Sequence, residues 1–201
     1  AVVVILNVGG VVETASWKDK VDAILLAWQP GQEAGDAIMD VLSGKVNPSG
    51  KLTMTFPVKY TDFPSSVDFP GVPADNPTDI YYKDGIYVGY RYFDSFGVKT
   101  AYEFGYGLSY TNFDISNIRI SDTEFYDEIY VSVDVKNVGN VAGKEVLQLY
   151  LAAPRGEVDK PVKELKAFAK TKSLKPGEVQ TLTMKLSPKD LASFNLNQLA
   201  W

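Results

Sequence analysis

Glu33 and Asp36 are the carboxylates whose setting in this chain best suggests chemistry. They follow Trp28 and the stop Gln29-Pro30-Gly31, where an apolar run gives way to a helix. Trp28 adds a flat apolar face with one N–H. Asn7 and Gly9-Gly10 follow a second apolar run in the same way. In open α/β sheets ligands sit at the carboxyl ends of strands, and both groups fall at such ends. The chain contains no His and no Cys. That excludes a Ser-His-Asp triad, a His general base, a thiolate nucleophile and His- or Cys-based metal sites. Acid–base work is left to carboxylates, Tyr and Lys.

The elements that must position these residues can be read from spacing. Residues 23–28 form a short apolar run that suits a strand buried on both faces. Residues 32–42 carry apolar side chains at Ala34, Ala37, Ile38, Val41 and Leu42, the spacing of an amphipathic helix. Gly44 is a helix stop. Asn47-Pro48-Ser49-Gly50 is a turn, and a second strand is expected over 51–56. Residues 2–6 form another strand, and a helix is expected within 11–21. Gln32, Glu33 and Asp36 read first as acids and amides that complement the helix dipole. Ligand contact is the alternative for them. Trp28 reads first as packing, and Gly9-Gly10 as backbone geometry.

Composition falls into three zones. Residues 1–57 show the strand–helix alternation of a parallel α/β layer. Residues 58–112 are rich in Pro, Gly, Asp and aromatic side chains. They read as an ordered connector without helix, because prolines recur, with rings that pack against neighbouring domains. Asp84 and Arg91, with Asp94 close by, read first as an ion pair that pins it, and a role in the substrate entrance is the alternative. Residues 113–201 are all-β, with runs at 115–120, 129–137, 145–152, 163–172 and 179–186. Short strands at this spacing suggest an immunoglobulin or fibronectin type III style sandwich. Lys160, Lys163, Lys166, Lys170 and Lys172 read as a solvated strand face. Asn47 and Asn76 precede Pro, so neither is a glycosylation site. The fold class is therefore α/β plus all-β.

The chain has 201 residues, 45% of them hydrophobic, and a formal net charge of −5. It has no basic stripe of the kind that binds nucleic acid, and its longest apolar run is far short of a membrane span. It opens inside a buried strand and closes on Leu199-Ala200-Trp201. A fragment is expected, with a further strand beyond Trp201.

Several segments together resemble one family. Ile5-Leu6-Asn7-Val8-Gly9-Gly10, Ala27-Trp28-Gln29-Pro30-Gly31-Gln32-Glu33, the stretch from Gly44 to Leu52, and Thr55-Phe56-Pro57 are similar to the second domain of glycoside hydrolase family 3. Tyr87-Val88-Gly89-Tyr90-Arg91-Tyr92-Phe93-Asp94 and Phe104-Gly105-Tyr106-Gly107-Leu108-Ser109-Tyr110-Thr111 resemble the connector that follows it. Gly143-Lys144-Glu145-Val146-Leu147-Gln148-Leu149-Tyr150 and Pro161-Val162-Lys163-Glu164-Leu165 resemble its fibronectin type III-like domain. The motifs occur in family order along essentially the whole chain.

The resemblance implies a retaining β-glycosidase parent, a β-glucosidase or a near relative such as a β-xylosidase. Such enzymes use two carboxylates about 5–5.5 Å apart. In the family the nucleophile is an Asp on an N-terminal barrel and the acid/base is a Glu on a second-domain loop, both expected upstream of Ala1. No catalytic residue is therefore carried onto this chain, which alone is expected to be inactive. Trp28, Glu33 and Asn7 become candidates to line the sugar site. No metal or cofactor is expected. The implied partners are a β-glucoside or oligosaccharide and the barrel, with a homo-oligomer left open. The alternatives are a stand-alone carbohydrate-binding or adhesion module, and an N-acetylglucosaminidase parent. Compartment is not indicated, and periplasmic, secreted and cytoplasmic locations all stay open.

Overall fold

A computed structural model describes residues 1–154, 156 and 158–200. Trp201, beyond which a further strand is expected, lies outside the described residues. The chain divides by its internal contacts into two units. One holds residues 1–40 and 52–106, the other 41–51 and the stretch from 107 onward.

In the first unit, β1 (Val3–Leu6) and β2 (Ala23–Leu26) pair in parallel, Val3 opposite Ala23 and Leu6 opposite Leu26. The expected helix within 11–21 is reduced to a single 3-10 turn at Lys18–Lys20. The Thr14 carbonyl accepts from both Trp17 and Lys18, and the Trp17 indole donates to the Glu13 carbonyl. These bonds close a tight turn in place of a helical ladder. Helix α1 (Ala34–Leu42) follows Gly31, whose φ is +79°, and stops at Gly44, φ +76°. It buries none of its residues, and Met39 is 59% exposed.

The strand expected at 51–56 shrinks to β3 (Phe56–Pro57), which pairs with β4 (Thr100–Tyr102). Leu52 already bonds sideways to Gly105 and Tyr106, which ends the regular ladder early. Between β3 and β4 lies a helix that the proline content argued against, α2 (Tyr90–Phe96). It is bracketed by Gly89 and Gly97, both with positive φ. Its rings hold it in place. Phe93, 2% exposed, meets Phe63 edge-on at 5.5 Å, and Tyr92 stacks near Phe96 one turn on at 5.1 Å. Tyr90 pairs with Phe104 at 4.9 Å. These connector rings pack on one another within the unit.

The second unit is a β-sandwich. Strands β5 (Phe113–Ile120), β6 (Ile129–Asn137) and β9 (Val179–Leu186) form one antiparallel sheet, and β7 (Val146–Leu151) with β8 (Glu164–Lys170) forms the other. A short helix, α3 (Pro188–Leu191), follows β9. Alternation along β6 and β9 sends Val131, Val133, Val135, Leu182 and Met184 inward, where Leu147 and Leu174 close the core. Asn137 has no exposed surface. Its amide donates to the Val141 and Leu174 carbonyls at 2.8 Å and accepts from the Thr111 hydroxyl at 2.7 Å and the Gly139 N–H at 3.1 Å. Each of its bonding groups is therefore used, which is what makes a buried amide tolerable.

Residues 41–51 are held in this unit by Asn47. Its side chain donates to the Ala142 carbonyl and accepts from the Ser109 hydroxyl and the Tyr110 N–H. A Cβ at Gly143 would sit 2.7 Å from the Asn47 amide nitrogen, so only glycine admits that approach. Lys51 completes the attachment with an ion pair to Glu145 at 2.9 Å and a bond to the Gly107 carbonyl. Among the described residues no helix is long and apolar enough to cross a membrane.

Candidate functional site

The parallel register carries the loops after β1 and β2 out of the same sheet end. The Ala27 N–H donates to the Leu6 carbonyl at 2.9 Å, so Asn7 leaves β1 beside the residue that precedes Trp28. A Cβ on Gly9 would meet the Gln29 amide at 3.1 Å. The Gly9-Gly10 turn therefore lies directly against the turn after β2. Asn7 and Gly9 are exposed, as are Gln29 and Glu33.

Trp28 sits in the left-handed region, φ +53°. For a residue with a Cβ this costs about 1–2 kcal/mol. The indole is partly buried and tilts against Phe56, ring centres 6.4 Å apart. Phe56 is 2% exposed and in turn meets Tyr102 edge-on at 6.2 Å. Burial pushes the Tyr102 phenol above its ordinary pKa, with the nearby Lys18 ammonium acting the other way. The strained Trp28 thus packs on Phe56, which in turn packs on Tyr102. Strained backbone of this kind gathers at functional sites.

Glu33 lends its carbonyl to the first bond of α1, from Ala37 at 3.0 Å, and Asp36 lies in the first turn. Both carboxylates are exposed, Glu33 just before the helix and Asp36 in its first turn. A double-displacement pair needs two carboxylates facing each other across a substrate, and neighbours three residues apart at one helix start do not supply that. Asn7 and Trp28 thus follow two paired strands at one sheet end, and Glu33 lies five residues after Trp28 at the start of the helix.

The other sequence candidates lie elsewhere. Arg91 and Asp94 are on α2, and Asp84 precedes it in a turn closed by Tyr87. An open hollow lined by Phe93, Asp94, Gly97, Lys99, Thr100 and Glu103 includes none of Asn7, Trp28 and Glu33. The lysines form a solvated face only in part, with Lys170 and Lys172 exposed and Lys160, Lys163 and Lys166 partly covered. Lys166 is 13% exposed and pairs with Glu164, Lys172 pairs with Glu178, Lys163 lies 5.1 Å over the Tyr150 ring, and Lys170 donates to the Ser49 carbonyl.

Sequence reasoning passed over the polar centres of the sandwich. Asn47 and Asn137 sit in turn-like strings, Asn-Pro-Ser-Gly and Asn-Val-Gly-Asn, where asparagine is ordinary. Asp134 falls at a polar position in the alternation of β6. It accepts two bonds from Arg119 and further ones from Thr181 and Asn117. Arg119, then Thr181 and Asn117, hold its carboxyl well below the usual carboxylate range. Among the described residues no group of three or more acidic side chains is placed to hold a metal ion.

Residues 1–110 match the glycosyl hydrolase family 3 C-terminal domain, and residues 145–201 match a fibronectin type III-like domain. The chain is 46% identical over its whole length to thermostable beta-glucosidase B of Acetivibrio thermocellus, covering 26% of that protein. It is 42% identical to beta-glucosidase A of Butyrivibrio fibrisolvens, again over all of this chain and 26% of the relative. Beta-glucosidase 3B of Thermotoga neapolitana, solved in complex with glucose, superposes with a TM-score of 0.90 at 53% identity, covering 96% of this chain and 27% of that one. The chain thus spans about a quarter of the length of the relatives it matches.

Proposed function

The chain belongs to glycoside hydrolase family 3, and we propose that it is the part of a retaining β-glucosidase that forms one wall of the sugar site and supplies neither catalytic carboxylate. The observation that carries this reading is the likeness along 96% of the chain to an enzyme solved with glucose. The carboxyl ends of β1 and β2 are the wall. Trp28, propped on Phe56, stacks against the C–H face of a pyranose. The Asn7 amide and the Glu33 carboxylate hydrogen-bond sugar hydroxyls. The nucleophilic Asp and the Glu acid/base come from the preceding part of the polypeptide, the Asp from its barrel. In double displacement the Asp attacks the anomeric carbon while the Glu gives its proton to the departing oxygen. Water then releases the sugar by the reverse path, with the Glu as base.

Within this proposal residues 1–57 close an α/β sandwich domain, 58–112 connect, and 113–201 form the fibronectin type III-like sandwich. The test is a chromogenic β-glucoside offered to the 201-residue chain and to the whole polypeptide. Turnover is expected from the whole polypeptide alone. Turnover by the isolated chain that disappears in Glu33→Gln or Asp36→Asn would overturn the absence of catalytic groups here. In the whole enzyme Trp28→Ala is expected to raise KM about tenfold, the loss of one stacking contact of roughly 1.4 kcal/mol, with a smaller change in kcat.

A further inference from the structure

Asp84-Gly85 is the only pair in the chain in which Asp or Asn precedes Gly. Glycine has no Cβ to shield its own nitrogen, so such a pair lets a backbone nitrogen approach the carboxyl of the preceding side chain. The structure leaves both reacting groups free. Other aspartates are held. Asp68 takes the Lys83 ammonium at 2.5 Å, Asp134 takes Arg119, Thr181 and Asn117, and Asp62 and Asp190 each accept a backbone N–H at 2.8 Å. The Asp84 carboxyl has no hydrogen-bond or ion-pair partner among the described residues, so the pairing with Arg91 suggested by the sequence does not form. The Gly85 N–H likewise has no protein acceptor among them. Gly85 is exposed at φ +58°, and a Cβ built on it would meet nothing within 4 Å.

We propose that Asp84-Gly85 is a site of spontaneous isoaspartate formation, where the chain ages by chemistry of its own. The Gly85 nitrogen attacks the side-chain carboxyl carbon of Asp84. A C–N bond forms, a C–O bond breaks, and the carboxyl OH departs as water with the proton from nitrogen. Water then opens the five-membered imide. Attack at the side-chain carbonyl restores Asp84. Attack at the main-chain carbonyl leaves Gly85 joined through the side-chain carbon, with the former carbonyl of Asp84 as a free carboxylate. Composition and mass are unchanged, and water is the only co-reactant. The place matters because the turn is anchored on both sides. Lys83 is tied to Asp68, and the Tyr87 ring meets Phe96 of α2 edge-on at 5.0 Å. Between them the Asp84 carbonyl accepts from the Tyr87 N–H at 3.1 Å, the bond that closes the turn. Isoaspartate puts one extra carbon into the main chain there and moves that acceptor off it as a charged group. The entry to α2 is thereby loosened.

The test holds the 201-residue chain at neutral pH and body temperature for weeks. An endoproteinase that cuts before aspartate, and not before isoaspartate, then reads the site. Fresh chain is expected to give residues 79–83 and 84–93 as separate peptides, because Asp79, Asp84 and Asp94 are the cut points. Aged chain is expected to give a growing share of the joined peptide 79–93. A share that stays at the level of missed cuts before the other aspartates would overturn the proposal. So would growth in a synthetic 79–93 peptide that the folded chain does not show. Methyl transfer from labelled S-adenosylmethionine by an isoaspartyl carboxyl methyltransferase gives a second reading. Aged chain is expected to take up label. Asp84→Glu keeps the charge but would have to close a larger, disfavoured ring, and its label is expected to fall to the background of fresh chain. Label that persists in Asp84→Glu would assign the reaction to another residue and overturn the proposal. The melting temperature of the aged chain is expected to fall by about 2–4 °C as label rises, whereas that of aged Asp84→Glu holds. An unshifted melting temperature in fully labelled chain would overturn the loosening of α2.

Discussion

Strands β1 and β6 both carry branched apolar side chains, and these end in opposite circumstances. β1 reads Val-Val-Ile-Leu, and Val3 and Ile5 remain 44% and 42% exposed. β6 alternates valine with polar residues, and Val135 has no exposed surface. The polar groups of the two units follow suit. The first unit buries the hydroxyls of Thr14 and Thr55 without a hydrogen-bond partner among the described residues. The second satisfies every group of Asn137. Apolar content decides what a strand is able to bury, and the layer laid over it decides what it does bury. A parallel strand needs cover on both faces. A single neighbour and a helix that buries nothing do not provide it.

The largest test of this contrast is Asn137→Ala. It removes the acceptor of the Thr111 hydroxyl and the Gly139 N–H and one of the two donors to the buried Leu174 carbonyl, leaves a cavity at a site with no exposed surface, and is expected to cost about 4 kcal/mol. Urea denaturation followed by amide exchange in β6 measures it, and a loss below about 1 kcal/mol would remove Asn137 from its central place. Next comes a matched pair. Val135→Ala should cost about 2–3 kcal/mol by leaving a cavity. Ile5→Ala should cost under about 1 kcal/mol in the isolated chain, since its side chain already meets water. Equal costs would break the comparison, and a rise at Ile5 in the whole polypeptide would sharpen it. Thr55→Val should be neutral or stabilise the isolated chain by about 1 kcal/mol, because it removes a buried hydroxyl that bonds to nothing.

The smallest effect is in pH. The folded state lowers the Asp134 pKa, so its contribution is fully present above the unfolded carboxylate value of about 3.9. It is lost as pH falls from there toward the lower folded value. Asp134→Asn should therefore flatten the acid side of the stability curve and leave its slope near neutrality unchanged. Thermal melts from pH 2 to 7 would reveal this, and an unaltered acid limb would discount the Arg119 pair.

Where a segment's own pattern dictates its structure, the sequence was readable. β6 and β9 occur at 129–137 and 179–186 because alternation there is strict, and α1 stops where Gly44 takes positive φ. Where neighbours decide, it was not. α2 forms among prolines because Phe93 finds Phe63 and Tyr92 finds Phe96, which no local propensity reports. The strand expected at 51–56 is cut short by bonds to residues some fifty positions away. Lys163, Lys166, Lys170 and Lys172 find partners on β7, on β8, in the 41–51 segment and in the turn before β9, and spacing alone could not name them. At the candidate site, the meeting of two loops at one sheet end followed from reading two parallel strands. The left-handed turn at Trp28 and the approach of Gln29 to Gly9 are tertiary facts that single residues do not announce.

The attachment of residues 41–51 to the sandwich, through Asn47 and Lys51, has a consequence for inheritance. The chain passes from one unit to the other after residue 40, returns after 51 and leaves again after 106. A single crossover between genes, at 106 for example, would hand over strands β5 to β9 without the eleven residues that belong to them. The incoming sandwich would have to find Ser109, Tyr110, Ala142 and Glu145 a new partner in its host. Exchange of this module by recombination is therefore constrained at three points along the gene, and the sandwich is expected to travel through evolution together with the α/β segment that threads it.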